Sequence, residues 1–310
     1  MIPLRPCGRS EGAVIRAEPS LGAAARVSPL TRRALAPNPG PFTHTGTCSY
    51  IVGTGDVAII DPGPDDQRHV EALLASLGAE RLRYVLVTHT HRDHAPAARA
   101  LKEATGATIA GCAPYAASAS RTVGGFNLDA AHDLAYAPDL VLGEGDRLHI
   151  GGASLVAIAT PGHTANHLCF ALTEEQSLFT GDHVMAWATT VIAPPDGSMR
   201  DYMASVERLR ARDDRIYWPA HGDPVRDPPR LLRALLHHRR TREAAILHRL
   251  EAGDETIAEM VAQIYEGVDK RLHPAAAMTA LAHLEDLVSR GLVDCSGQPG
   301  LQARFWPSRG

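Results

Sequence analysis

Four side chains able to bind a transition metal fall within six positions, in the stretch Thr88-His89-Thr90-His91-Arg92-Asp93-His94. The apolar run Tyr84-Val85-Leu86-Val87 directly precedes them and reads as a strand, so the ligands arrive at a strand's carboxyl end. Open α/β sheets bind ligands at that edge. His89 and His91 are two apart, so on an extended or gently turning backbone they point the same way and can share one ion. Asp93 and His94 lie on the turn into the next helix and face elsewhere, toward a second ion. A histidine-rich surface turn is the alternative for this stretch taken alone.

Three further motifs have the same character. Thr160-Pro161-Gly162-His163-Thr164 follows an apolar run over 154–159, Thr180-Gly181-Asp182 follows one over 177–179, and Pro219-Ala220-His221-Gly222 follows one over 215–218. Each is a strand end with a glycine beside the chemical residue, where the chain must turn sharply. Singly they are ordinary turns. Together, at successive strand ends, they read as one constellation. Neutral imidazoles and carboxylates are ligands that zinc accepts. Two such ions about 3.5–4 Å apart can share a hydroxide and bring the pKa of water down to about 7. That nucleophile suits a carbonyl or a phosphorus centre.

The elements that must carry these residues can be read along the chain. Residues 1–26 are rich in Arg, Gly, Pro and Ala without period and read as a loose arm. Val27 to Ala36 reads as a first strand, and Cys48–Val52 and Val57–Asp61 as a hairpin about Gly53-Thr54-Gly55-Asp56. From Asp66, Val70, Leu73, Leu74 and Leu77 fall at helical spacing, and Gly78 closes the helix. A second helix opens at Pro96 as its first residue and ends near Gly106, followed by a short strand over Thr108–Gly111. Residues 112–145 lack a firm period and are expected to be an insertion with some helix. Strands over 147–150, 154–159, 167–172 and 177–180 follow, then a helix over 201–212 and a strand over 215–219. Two batches of strands interrupted by helices suggest two sheets packed face to face, helices outside.

After Pro228-Pro229 the pattern is helical. A long helix runs to about Leu250, a second is capped by Asp254 and buries Ile257, Met260, Val261 and Ile264, and a third follows Pro274. Leu292–Cys295 and Gln302–Trp306 can form a hairpin. Three helices and a hairpin are the plan of a winged helix, with a domain boundary near 226–230 and the long helix as connector. The expected division is therefore an arm over 1–26, a catalytic domain over 27–228, and the connector with its winged-helix-like domain over 229–310.

Composition sets bounds. The 310 residues are 45% hydrophobic and 21% charged, normal for a globular protein with a sizeable core. A net charge of -4 makes no case for bulk attraction to phosphate backbones. Five scattered cysteines without a Cys-x-x-Cys pair fit free thiols in a reducing compartment. The N-terminus has no apolar core of signal-peptide length and no stretch is long enough to span a membrane, so a cytoplasmic protein is expected.

The motifs resemble those of the metallo-β-lactamase superfamily, over roughly residues 27 to 225. The resemblance implies a four-layer αββα sandwich and two zinc ions per chain, with iron or manganese as substitutes. It implies that His89, His91 and His163 hold the first ion, that Asp93, His94 and His221 hold the second, and that Asp182 bridges them. Asp93 would also orient the nucleophile. Asp61 matches the early strand-end aspartate that supports the site from behind. His167 is expected either to support a ligand or to be a plain buried histidine. His44 sits either at the pocket mouth or in solvent, and Trp187 and Tyr202 either wall the pocket or pack the core. His183 should point away from the site. His132-Asp133 and His237-His238 lack companions and read as surface.

The C-terminal segment narrows the resemblance to the branch that includes the single-stranded-RNA endoribonucleases called β-lactamase-like protein 2. Asn38-Pro39-Gly40-Pro41 with Gly46-Thr47, Asp201-Tyr202-Met203, and the stretch from His238-Arg239 through Arg242-Glu243 carry that likeness. Two departures stand out. Ala95-Pro96-Ala97 replaces the usual glycine pair, and the segment from residue 230 holds eleven Arg and Lys against ten Asp and Glu, a net of +1. A winged helix that reads nucleic acid carries a basic recognition helix, and 274–290 does not. A role in packing, dimerisation or covering the substrate is expected instead.

The leading expectation is a di-zinc hydrolase using a metal-bridging hydroxide on a small ester, thioester or lactone, or on a phosphodiester, with single-stranded RNA as the specific guess. A winged-helix nucleic-acid-binding regulator with a vestigial enzyme domain is the alternative, disfavoured because all seven ligand positions are intact. A redox scaffold with iron lacks a flavin-binding segment. A true β-lactamase lacks an export signal.

Overall fold

A computed structural model of the chain describes residues 23–116, 122–123 and 126–308. The expected N-terminal arm lies outside these residues up to position 22. Its last residues do not stay loose, since Ala25–Arg26 form β1.

In chain order, β1 is followed by β2 (Thr31–Leu35), β3 (Cys48–Thr54) and β4 (Asp56–Ile60), all antiparallel. After α1 (Gln67–Leu77), β5 (Arg81–Val87) runs parallel to β4, and after α2 (Ala97–Thr105), β6 (Thr108–Gly111) runs parallel to β5. The small pair β7 (Thr122–Val123) and β8 (Phe126–Asn127) precedes β9 (Leu140–Val141), the seventh strand of this sheet. A second sheet has five strands in sequence order: β10 (Arg147–Ile150), β11 (Ala153–Ala159), β12 (Leu168–Leu172), β13 (Ser177–Gly181) and β14 (Ile216–Pro219). The helix α3 (Met199–Arg210) connects β13 to β14, which pair in parallel.

The two-residue period of the strands decides the layering. On β12, Leu168, Phe170 and Leu172 join the core between the sheets, where they meet Tyr50, Ile59 and Val85 of the first sheet. Cys169 and Ala171 face the other way, into a second core with Met199, Tyr202, Val206 and Leu209 of α3 and Leu232, Leu235 and Leu236 of α4 (Pro228–Glu251). Val70, Leu73 and Leu77 of α1 and Ala97, Ala98 and Leu101 of α2 complete the first core. The result is a helix–sheet–sheet–helix stack.

Beyond it, α5 (Ile257–Ile264), α6 (His273–Ser289), β15 (Val293–Cys295) and β16 (Phe305–Pro307) surround a third core of Ile257, Met260, Leu281, Leu284 and Phe305. The first half of α4 packs on the second sheet, and Ile246 and Leu250 of its second half pack in this third core, so one helix is common to both units.

Three local expectations need correction. The run 27–36 is not one strand: Ser28 and Pro29 sit in a turn closed by Val27 N–H on Thr31 O (2.9 Å), and Pro29 has no N–H to give a ladder. Pro96 is the cap of α2 rather than its first residue. The cap of α5 is Thr256, not Asp254: Thr256 and Glu259 form a reciprocal capping box, while Asp254 accepts from Arg249 Nε (2.6 Å). Among the described residues no helix is long and apolar enough to cross a membrane.

Candidate metal centre

Parallel neighbours end at the same edge. Asp61 follows β4, His89 follows β5, Asp182 follows β13 and His221 follows β14, with His163 just beyond β11. Two glycines make this convergence possible. At Gly162 (φ 142°) a Cβ would lie 2.4 Å from the Tyr202 backbone, and at Gly181 (φ 49°) it would lie 2.6 Å from His167 Nε2.

The ligand atoms form two clusters. In the first, His91 Nδ1 lies 3.0 Å from His89 Nε2 and 3.1 Å from His163 Nε2, with Asp182 Oδ2 3.6 Å from His163 Nε2. In the second, His221 Nε2 lies 3.2 Å from Asp93 Oδ2 and His94 Nε2 lies 3.4 Å from the same oxygen. Asp182 Oδ1 reaches this cluster too, at 3.2 Å from His221 Nε2 and 3.5 Å from His94 Nε2. Each set falls within 4.8 Å. Around an ion with bonds of about 2.1 Å, tetrahedral ligands stand about 3.4 Å apart, which matches these separations. His94 Nε2, His221 Nε2 and Asp182 Oδ1 are buried without a hydrogen-bond partner, and such atoms are expensive unless something binds them. The donors therefore fit two dications.

The opposite nitrogens set the ring orientations. Thr88 Oγ1 donates to Asp61 Oδ2 (2.9 Å) and thereby accepts from His89 Nδ1 (3.0 Å). Nδ1–H of His94 donates to Asp61 Oδ2 (3.0 Å), that of His163 to Val191 O (2.7 Å) and that of His221 to Gly46 O (3.3 Å). Every Nε2 lone pair in these four rings is thus left for an ion. Asp61 stands at φ 48° and also accepts Thr88 N–H (2.9 Å), on the Nδ1 side of the His89 and His94 rings. His167 accepts from the Asp182 backbone N–H (3.3 Å) through Nε2 and donates through Nδ1 to Thr160 Oγ1 (2.8 Å). It holds Asp182 in place.

Burial, with the neighbouring imidazoles, holds His89, His91 and His167 well below the usual histidine range. The second cluster behaves oppositely. Against the opposing effect of burial, Asp93, Asp182 and Asp61 hold His94 well above that range, and Asp182 and Asp93 push His221 up to about 9. Burial likewise opposes ionisation of Asp93, yet His94 and His221 keep it well below the carboxylate range. The carboxylates of the second cluster thus favour positive charge beside them.

Not all expectations hold. His132 is not at the surface. It is 2% exposed, its ring stacks on Tyr115 at 3.7 Å and lies 4.6 Å from that of His91, and its Nδ1 meets Thr90 Oγ1 at 2.8 Å. His238 is half buried, and only His237 is exposed. His183 is buried 4.8 Å from the Tyr202 ring and belongs to neither cluster. Tyr202 packs in the second core. His44 is exposed, with its ring 4.8 Å from Trp187, which itself lies against Gly222 beside His221. Nothing local in the sequence pointed to the Thr90–His132 contact or to the Val191 carbonyl.

Comparison with known proteins agrees with this picture. The profile of the metallo-beta-lactamase superfamily matches residues 43–221, and that of the beta-lactamase associated winged helix domain matches residues 256–303. The chain is 31% identical over 276 residues to an atrochrysone carboxyl ACP thioesterase from Aspergillus fumigatus, covering 84% of this chain and 80% of that protein. It is 28% identical over 274 residues to a beta-lactamase-like protein 2 homolog from Caenorhabditis elegans, covering 87% and 88%. The crystal structure of a beta-lactamase domain protein from Burkholderia ambifaria superposes with a TM-score of 0.78 at 18% identity, over 95% of this chain and 96% of that one.

Proposed function

The chain belongs to the metallo-β-lactamase superfamily and is a metal-dependent hydrolase, and from that premise we propose that it cleaves a thioester at a centre holding two zinc ions. His89, His91 and His163 hold one ion, Asp93, His94 and His221 the other, and Asp182 serves both. The observation that carries this is the Asp182 carboxylate, whose two oxygens face the two clusters with Oδ1 free of any hydrogen bond. Bound there, the ions would supply Lewis acidity at the carbonyl and a water with pKa near about 7. Asp93, with its side chain 27% exposed and Asp182's at 12%, faces the open side and orients the attacking water. Asp61, Thr88 and Val191 keep the imidazoles aimed, and His167 keeps Asp182 in register. The catalytic unit is taken as 27–228 and the connector with its winged helix as 229–310.

Thioester is favoured over phosphodiester for two reasons. With seven groups committed to the ions, none of them has a proton to hand to a leaving group. A thiol ionises near about 8.5, so a thiolate leaves without one, whereas an alkoxide does not. The near-neutral C-terminal unit also offers no broad attraction to a polyanion. A relative named as a thioesterase, aligned over four-fifths of its length, supports the same choice. The test is a parallel assay of metal-replete protein on acyl thioesters, the matching oxygen esters, and single-stranded RNA. Thioesters should be turned over with the highest kcat/KM; RNA cleavage with thioesters untouched would sink the proposal.

A further inference from the structure

The stretch His238-Arg239 is left without a role by the metal centre, and it lies on α4 where that helix passes behind His163. Arg239 is 2% exposed. It donates through one terminal nitrogen to Thr190 O (2.6 Å), and its guanidinium carbon sits 5.0 Å from the centre of the Tyr202 ring. Its Nε has no partner, and among the described residues it forms no ion pair. A buried cation without a counter-charge is costly. Arg239 also lines a cavity of about 30 Å³ that opens to solvent between the segment 189–191 and α6. That is room for one or two oxygen-sized groups. His238, with neither ring nitrogen bonded, lines it, as do the hydroxyl-bearing Thr189, Thr190 and Thr279. No acidic residue does.

A second cation and a neutral imidazole lie nearby. Arg242 follows one turn later, stacked at 4.6 Å over Tyr265, and His283 on α6 is 1% exposed with both ring nitrogens unpartnered. Burial lowers His283 to about 3, with Arg239 the leading cation acting on it. Thr279 Oγ1 accepts from Ile192 N–H (3.4 Å), so its own proton remains to be donated. Thr190 Oγ1 stands 3.1 Å from His163 Nδ1, which puts the cavity one side chain behind the metal centre. A fixed cation, free hydroxyl donors, a neutral imidazole and no carboxylate are what a phosphate oxyanion requires.

We propose that this cavity is a phosphate subsite formed jointly by the catalytic unit and the C-terminal helices, with Arg239 as its cation and Thr279 and His238 as its further donors. It rests on the thioester reading for its source, the phosphate of a substrate's phosphopantetheine arm, and free phosphate is the other source of the same chemistry. The winged-helix unit then contributes to binding by closing this subsite rather than by reading nucleic acid.

The experiment titrates inorganic phosphate into metal-replete protein by calorimetry, for the wild type, Arg239→Gln, Thr279→Val and Asp182→Asn. Phosphate binding should weaken at least tenfold in Arg239→Gln and several-fold in the milder Thr279→Val, and persist in Asp182→Asn. Binding lost only in Asp182→Asn would assign it to the metal centre and overturn the proposal, as would binding unchanged in both other variants. Should Arg239→Gln fail to fold, Thr279→Val and His238→Gln give the same reading. A second arm compares one acyl group on phosphopantetheine and on phosphate-free N-acetylcysteamine. A several-fold fall in the kcat/KM ratio of the two in Thr279→Val places the phosphate on the substrate, and an unchanged ratio with phosphate binding still weakened makes the ligand free phosphate. Phosphate binding that depends on Arg239 while neither thioester is cleaved keeps the subsite and refutes the substrate.

Discussion

Oδ2 of Asp61 lies 3.0 Å from Nδ1 of His94, and the same oxygen accepts Thr88 Oγ1 at 2.9 Å. One carboxylate thereby fixes the tautomer of one ligand directly and of a second, His89, through the threonine. Asp61→Asn keeps an oxygen for Thr88 N–H and tolerates the positive φ, but its amide cannot accept from both Thr88 Oγ1 and His94. Metal affinity and kcat/KM should fall roughly 10–100-fold, and the thermal midpoint should fall with the weaker metal binding. Elemental analysis and kinetics on the same preparation check this; wild-type metal content and rate would remove Asp61 from the site's support.

Asp182 differs in kind because its two oxygens face different clusters. Asp182→Ala should leave the fold intact and abolish hydrolysis, a loss well beyond the roughly 100-fold expected of an outer-layer change. Circular dichroism, metal content and turnover separate the two effects. Activity near the wild-type rate would refute the bridging role.

The turns proposed to carry the seven ligands were legible because each is local: a strand followed within a few residues by histidine or aspartate, with a glycine beside it at His163, Asp182 and His221. What was not legible depends on distance along the chain. His132 looked solitary because Thr90 and Tyr115, its partners, lie 42 and 17 residues away and only the fold joins them. Arg239 had no assigned role in the sequence, because its contact with Thr190 forms only where α4 meets the segment 189–191. Asp254 and Thr256 are both good caps by type, and the choice fell to Thr256 because Glu259 stands where it can close the box and Arg249 holds the aspartate.

Gly181 shows how narrowly Asp182 is placed. A methyl there would meet His167 Nε2 at 2.6 Å and Thr88 Oγ1 at 2.8 Å, on a residue at φ 49°. Gly181→Ala should lower stability by about 1–3 kcal/mol from backbone strain alone, and it should cost activity by displacing the carboxylate. Combining it with His167→Ala removes the ring contact while keeping the strain. Because His167 also holds Asp182, the double variant should regain stability over the single variant in a denaturant titration without regaining turnover; an undisturbed Gly181→Ala would show that the turn is loose.

Metal removal probes the centre as a whole. Three buried ligand atoms have no protein partner, and the Asp93 and Asp182 carboxylates beside His94 and His221 favour positive charge there. Ions that bind only the folded chain stabilise it by RT ln(1 + [L]/Kd), about 4 kcal/mol per site when free metal exceeds Kd a thousandfold. Protein purified without added metal should therefore carry two transition-metal ions per chain, and a strong chelator should abolish turnover and lower the thermal midpoint together, both returning on adding zinc. A midpoint indifferent to chelation, or metal-free protein as active as the untreated preparation, would mean that the seven side chains meet for some reason other than holding ions.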